Sequence, residues 1–186
     1  MAAPLTPSSY SARETLRDGR TIEIRALRPS DRAAMLDLAN RMSDEARQLR
    51  FFAPKRGFSD QEVDYFINVD FVDHVALVAV LEREGRPQLA GGGRYIRVAP
   101  GRAEVAFGID AACQGLGIAG LILRHLALLA RSAGLKELVA EVLPENAPML
   151  RVFQRSDLPM RRRHEDGVVH VELSLSPHAG GAIPPK

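Results

Sequence analysis

The segment Gln114-Gly115-Leu116-Gly117-Ile118-Ala119 holds the residue types in this chain that best fit a chemical task. Two glycines let the backbone approach a ligand closely, and Ala119 is too small to obstruct it. A helix starting at Ile118 has first-turn N–H groups without partners inside the helix, at the positive end of its dipole. Such a start suits an anion, and a phosphate or pyrophosphate is the expected guest. A plain glycine-rich turn joining two elements is the competing reading. The loop lacks the Gly-Lys-Ser/Thr ending of a nucleotide P-loop. It also lacks the all-parallel setting of a dinucleotide fold. Cys113 has no identifiable histidine partner and reads as structural. The five histidines show no metal-ligand spacing, so no metal is expected. His125 falls on an apolar helix face and reads as a packed core residue. Arg161-Arg162-Arg163, with His164, reads as solvated surface or as a steering patch for an acidic protein substrate.

The elements that must position the loop follow from periodicity. Thr21 to Ala26 alternates Ile22 and Ile24 with charged residues and predicts a first strand. Arg28-Pro29-Ser30-Asp31 stops it and opens a helix over Asp31 to Arg41. Ser43 to Phe52 predicts a second helix with a Ser43 cap. Ser59-Asp60-Gln61-Glu62 fits a capping box and opens a third, to about Val69. His74 to Glu84, Gln88 to Val98 and Arg102 to Asp110 read as an antiparallel meander, with Gly91, Gly92 and Gly93 weakening the regularity of its middle strand. Ile118, Leu121, Ile122, His125, Leu128 and Leu129 then recur at three and four, giving a helix that Gly134 closes. Leu138 to Leu143 predicts a strand, Asn146 to Ser156 a helix, and Val168 to Ser176 a last strand.

Composition sets bounds on class. The 186 residues are 46% hydrophobic and 26% charged, which suits one folded domain. The longest apolar run, Val75 to Leu81, is far short of the roughly 20 residues of a membrane helix. The amino terminus lacks the basic start and apolar stretch of a signal peptide. One cysteine excludes an internal disulfide, and a reducing, cytoplasmic setting is the default expectation. The net charge of +2 is too small to imply a nucleic-acid partner. Residues 1–14 and 177–186 read as flexible tails around a domain over 15–176.

With these elements in order, Gln114 to Ala119 resembles the Gln/Arg-x-x-Gly-x-Gly/Ala acyl-CoA loop of the GNAT N-acetyltransferases. The resemblance extends from Thr15 to about Ser176. Within that family, Arg25 to Asp31 (RALRPSD), Arg50-Phe51-Phe52, His74 to Ala79, Ala103 to Phe107, and Glu145-Asn146 with Met149-Leu150 resemble bacterial protein lysine acetyltransferases. The implied fold is mixed α/β: a mostly antiparallel sheet of six to seven strands flanked by helices, with a splayed pair of central parallel strands. The implied co-substrate is acetyl-CoA, without a metal. The implied partners are a protein carrying an acceptor lysine and an acyl-CoA-forming enzyme, with neither nucleic acid nor membrane.

The resemblance also implies roles. Gln114, Gly115, Leu116, Gly117, Ile118 and Ala119 would hold the pyrophosphate. Phe107, Gly108 and Ile109 would offer backbone to the pantetheine arm, and an N–H there would polarise the thioester carbonyl. Gly108 could equally be a packing accommodation. Asn146 would bond the cofactor, or serve as an ordinary helix cap. Phe153 joins the cofactor-binding set. Glu104 falls where such enzymes place a catalytic glutamate, with Glu141 as second candidate; the competing role is a solvent-facing strand residue. Its apolar neighbours Ala103, Val105 and Ala106 lead one to expect a desolvated carboxylate with a raised pKa.

Three departures stand out. The helix after Asn146 has no tyrosine to protonate the leaving thiolate, which solvent can do at a thiol pKa of about 8.5. Leu116 occupies a place where basic residues are common, so phosphate binding would lean on backbone N–H groups and on Arg124 or Arg151. Ser156-Asp157-Leu158 replaces the usual Gly-Phe before the final strands. A small-molecule amine acetyltransferase and a non-catalytic acyl-CoA-binding regulatory domain are the rival functions. A closed acidic pocket would favour the former, and an open groove beside Glu104 a protein acceptor.

Overall fold

The computed structural model describes residues 5–51 and 58–176. The tail over 177–186, the first four residues and Phe52 of the Arg50-Phe51-Phe52 string lie outside them. Eight strands form one sheet: β1 (Ser11–Thr15), β2 (Thr21–Ala26), β3 (His74–Arg83), β4 (Arg86–Ala99), β5 (Arg102–Ile109), β6 (Glu137–Val142), β7 (Met160–Glu165) and β8 (Val168–Ser174). Their spatial order is β1-β2-β3-β4-β5-β6-β8-β7. Every pairing is antiparallel except β5 with β6, which is parallel. The mixed, mostly antiparallel sheet with a central parallel pair is as expected from the sequence, but it has eight strands rather than six to seven.

Both additional strands lie at edges. Ser11–Thr15 falls partly inside the stretch read as a tail, and pairs with Thr21–Arg25 through the Asp18-Gly19 turn. Met160–Glu165 is exposed almost throughout, so its sequence lacks the alternation that marks a half-buried strand. It joins β8 through Asp166-Gly167, both at positive φ (51° and 77°), as a two-residue hairpin requires.

Among the described residues, α1 (Arg32–Arg41), α2 (Asp44–Phe51) and α3 (Asp60–Ile67) precede the meander; α4 (Ile118–Ser132) and α5 (Ala147–Gln154) follow it. The Ser59 cap forms as a full box: Ser59 Oγ accepts from Glu62 N–H, and Ser59 N–H donates to the Glu62 carboxylate. Arg25 locks the entry to α1 by donating to both Asp31 oxygens at 2.8 Å. Burial alone would raise the Asp31 pKa, but bonds from Arg25 and the Arg28 N–H hold it below the ordinary carboxylate value.

The larger core lies under α4, where Ile122, Leu126 and Leu129 are fully buried against the sheet. A smaller one lies on the opposite face, where Leu38 and Ile67 meet Ala76 and Val78. Between them β3 is buried on both faces, which explains its unbroken apolar run.

Candidate active site

The site begins where β5 and β6 part. Arg102, Ala103 and Glu104 pair with Glu137, Leu138 and Val139, and the pairing stops there. Beyond Glu104, β5 continues to Ile109 with only β4 beside it, and β6 continues to Val142 beside β8. One edge of β5 from Val105 to Ile109 therefore presents backbone groups to a gap instead of to a strand. Phe107, Gly108 and Ile109 lie on that edge.

The turn after β5 is held firmly. Asp110 is 2% exposed; it accepts from Ala112 N–H at 2.9 Å and from Arg41 Nε at 2.7 Å. Arg41 also donates to Leu89 O, tying α1 to the turn. Cys113 is buried beside the Arg83 guanidinium, and burial raises its pKa, so the thiol stays protonated. The structural reading of Cys113 agrees with this. The chain then runs through Gly115 and Gly117, at φ 78° and 87°, left-handed conformations that favour glycine. The first helical bond of α4 is Leu121 N–H to Gly117 O, and no side chain caps the helix. The N–H groups of Ile118, Ala119 and Gly120 stand ahead of that bond with no acceptor among the described residues, as an anion site requires.

A cleft of about 720 Å³ connects this helix start, the gap and α5. Its lining includes Glu104, Phe107, Gly108, Ile109, the whole run Gln114 to Ala119, Glu141, Asn146 and Phe153. Every site residue expected from the sequence thus borders one cavity. Their surroundings refine the expected roles. Asn146 Oδ1 accepts from Met149 N–H at 3.2 Å, so the helix-cap role is realised. Phe153 is 1% exposed and packs edge-on against Phe107, making it part of the wall.

Glu104 departs from expectation in its environment. Ala103, Val105 and Phe107 point into the core under α4, and Glu104 points to the other face, where it is exposed. Of its apolar neighbours in sequence, Ala103 and Val105 therefore face away from it, while Ala106 shares its side of the sheet. No ion pair among the described residues holds its carboxylate. Glu141 lies on the same face across the gap, 3.6 Å from His170 Nδ1.

The cations at the cleft also differ from the sequence reading. Arg124 is paired with Glu14 at 2.6 Å, and that bond chiefly lowers the Glu14 pKa. His125, beside it, lies 2.8 Å from Glu14 and 2.5 Å from the Tyr10 hydroxyl, which fixes β1 to α4; burial chiefly lowers its pKa. Arg17, in the β1–β2 turn, is the cation set at the glycine loop: its Nε lies 3.4 Å from where a Cβ on Gly117 would be. Arg151 lines the cleft as well. Sequence reasoning missed Arg17 because only the sheet's topology brings that turn beside α4.

Residues 21–158 match the family model described as an acetyltransferase (GNAT) domain. Acetyltransferase PA5475 of Pseudomonas aeruginosa is 32% identical over 126 residues, covering 67% of this chain and 68% of that protein. Acetyltransferase Pat of Mycolicibacterium smegmatis is 26% identical over 179 residues; these cover 95% of this chain but 51% of Pat, so the chain spans about half the length of that relative. The GNAT domain of S. lividans PAT superposes with a TM-score of 0.80 at 36% identity, over 88% of this chain and 96% of that one. The structure of yncA from Salmonella typhimurium, solved with its cofactor acetyl-CoA, shares the fold at 17% identity and a TM-score of 0.68, over 87% of this chain and 98% of that one. A splayed parallel pair, a bare helix start behind two left-handed glycines, and a family match across most of the described fold lead to one conclusion: this chain belongs to the GNAT acetyltransferases, the enzymes whose acetyl donor is acetyl-CoA.

Proposed function

We propose that this enzyme acetylates lysine side chains of proteins, with Glu104 as general base. The observation that carries the protein acceptor is the open face beside Glu104. Glu104, Glu141, Arg161 and Arg163 are all exposed on that side. Arg161, Glu172, Val139 and Glu104 form one row across four strands. Arg163, His170 and Glu141 form the next. Such a shallow, polar surface admits a folded protein, whereas a small amine would be held better by a closed pocket. The similarity to the S. lividans PAT domain supports the same reading.

The donor would be held on the other side of the gap. The N–H groups at the start of α4 and the Arg17 guanidinium would face the diphosphate, and the open edge of β5 would face the pantetheine amides. Acetyl-CoA supplies the acyl carbon as a thioester, so that a C–N bond forms, the C–S bond breaks and CoA leaves as its thiol. A free lysine has a pKa of about 10.4, so roughly one in a few thousand is neutral at pH 7. Glu104 would take the ammonium proton, directly or through one water. It stands at the last paired position before the strands separate, where the acceptor face and the gap meet.

The test has two parts. Glu104→Gln is expected to lower kcat by about 10²–10⁴-fold with acetyl-CoA affinity kept. Unchanged turnover would remove Glu104 from the role of base. Mass spectrometry of a lysate incubated with the enzyme and isotopically labelled acetyl-CoA is expected to find label on discrete protein lysines. Label confined to small amines would overturn the protein acceptor.

A further inference from the structure

A second cavity, of about 100 Å³, lies beneath α1 on the face that Glu104 shares. The sheet residues beneath it explain why it exists. Val78, Gly92 and Gly108 form one cross-strand row, and Ala76, Arg94 and Ala106 the next. Two glycines and two alanines leave a trough that Leu27, Met35 and Leu38 roof without filling. Arg94 closes one side, donating to Phe66 O and meeting His74. At the other side the trough reaches β5, where Ala106, Phe107, Gly108 and Met42 line both it and the large cleft. Met42 is the partition: its Sδ lies 3.3 Å from where a Cβ on Gly108 would be. An unbranched thioether side chain changes rotamer readily.

We infer that this trough receives the tail of acyl groups longer than acetyl, so that the enzyme accepts short-chain acyl-CoA donors. The inference rests on the acetyl-CoA reading of the cleft. A donor's acyl carbon brought to the open edge of β5 has Gly108 and Ala106 beside it, and the trough continues from there. Apart from Arg94 at its closed side, the lining side chains are apolar, as a hydrocarbon tail requires and a charged lysine does not. Room is limited: an apolar cavity of about 150 Å³ holds a six-carbon benzene, so about 100 Å³ suits about four carbons. Transfer of such a group exchanges the same bonds as acetyl transfer, C–S for C–N, with CoA leaving as its thiol.

The experiment is calorimetric titration of the enzyme, without acceptor, with CoA thioesters from acetyl through propionyl, butyryl, hexanoyl and decanoyl. Affinity is expected to rise by about four-fold per methylene through hexanoyl, whose tail adds four carbons to acetyl, and to rise no further by decanoyl. Ala39→Phe places a ring in the trough from α1, at a residue that lines only the trough. It is expected to leave acetyl-CoA affinity unchanged and to abolish the rise. Met42→Ala removes the partition and is expected to move the optimum to longer chains, which keeps the inference testable should Ala39→Phe fold poorly. Acetyl-CoA binding with a flat series in the wild type would overturn the inference alone. So would a rise that survives Ala39→Phe, or an optimum that Met42→Ala leaves in place. Absence of binding by every thioester would overturn the donor reading as well.

Discussion

Glu104 owes its proposed role to its position on β5. It is the last residue in register with β6, it is exposed, and among the described residues no ion pair fixes its charge. Alternation along β5 was legible in the sequence, and so was the candidate base. Its solvation was not, because neighbours in sequence point to the opposite face of a strand and tell little about a side chain's own surroundings. Another residue makes a separate prediction. His74 is 8% exposed, and its Nε2 lies 2.9 Å from Arg94 Nη1. Burial, aided by the Arg94 charge, lowers its pKa to about 4. The unfolded value is about 6.5, so between these values the unfolded chain binds more protons. Stability is therefore expected to fall as pH drops from about 6.5 to about 4. Urea midpoints across that range check this, and His74→Gln, which can still accept from Arg94, is expected to flatten the slope.

Among the elements, β4 shows best what a local pattern tells and what it leaves out. Its three glycines read as a loss of regularity, and the register with β3 does shift beside Gly91, skipping Ala90, yet the strand continues from Arg86 to Ala99. Their purpose is close packing. A Cβ on Gly93 would lie 2.6 Å from Ile122 Cγ2 and 2.8 Å from Phe107 Cδ1, both in the core. The missing side chain lets α4 settle on the sheet, and so sets the height at which its N-terminus meets the cleft. Gly93→Ala is expected to destabilise the protein by about 1–3 kcal/mol through overpacking, read as a lower urea midpoint at an unchanged slope. A midpoint equal to wild type would show that α4 can shift at no cost. Capped helices were easier to read. Ser59 and Glu62 form their box because its partners are three residues apart. The β7–β8 hairpin was missed although Asp166-Gly167 marks its turn, since Met160–Glu165 faces solvent on both sides. An arginine-rich edge strand of this kind resists pairing with other sheets.

At the scale of the whole molecule, the sheet separates two tasks. One side carries α4, α5 and the glycine loop; the other offers the open surface on which an acceptor would dock. Arg161 and Arg163 are exposed at the β7 edge; Arg161 stands in the row of Glu104, three strand spacings away, or about 14 Å, and Arg163 in the next row near Glu172. Reversing both to glutamate is expected to raise KM for a protein acceptor several-fold, with kcat and the rate on a small amine unchanged, and to weaken the salt dependence. An unchanged KM would place the acceptor elsewhere. Arg17 illustrates what only the assembled fold reveals, since it lies a hundred residues before the glycine it faces. All of this depends on the bare start of α4 holding the donor's diphosphate. Calorimetric titration of acetyl-CoA into the wild type and into Gly117→Val addresses that most directly, because a branched side chain at φ 87° distorts the loop. The account predicts saturable one-site binding to the wild type and at least about ten-fold weaker binding to a folded Gly117→Val, a difference of about 1.4 kcal/mol. No heat with the wild type, or equal affinity in both, would contradict it.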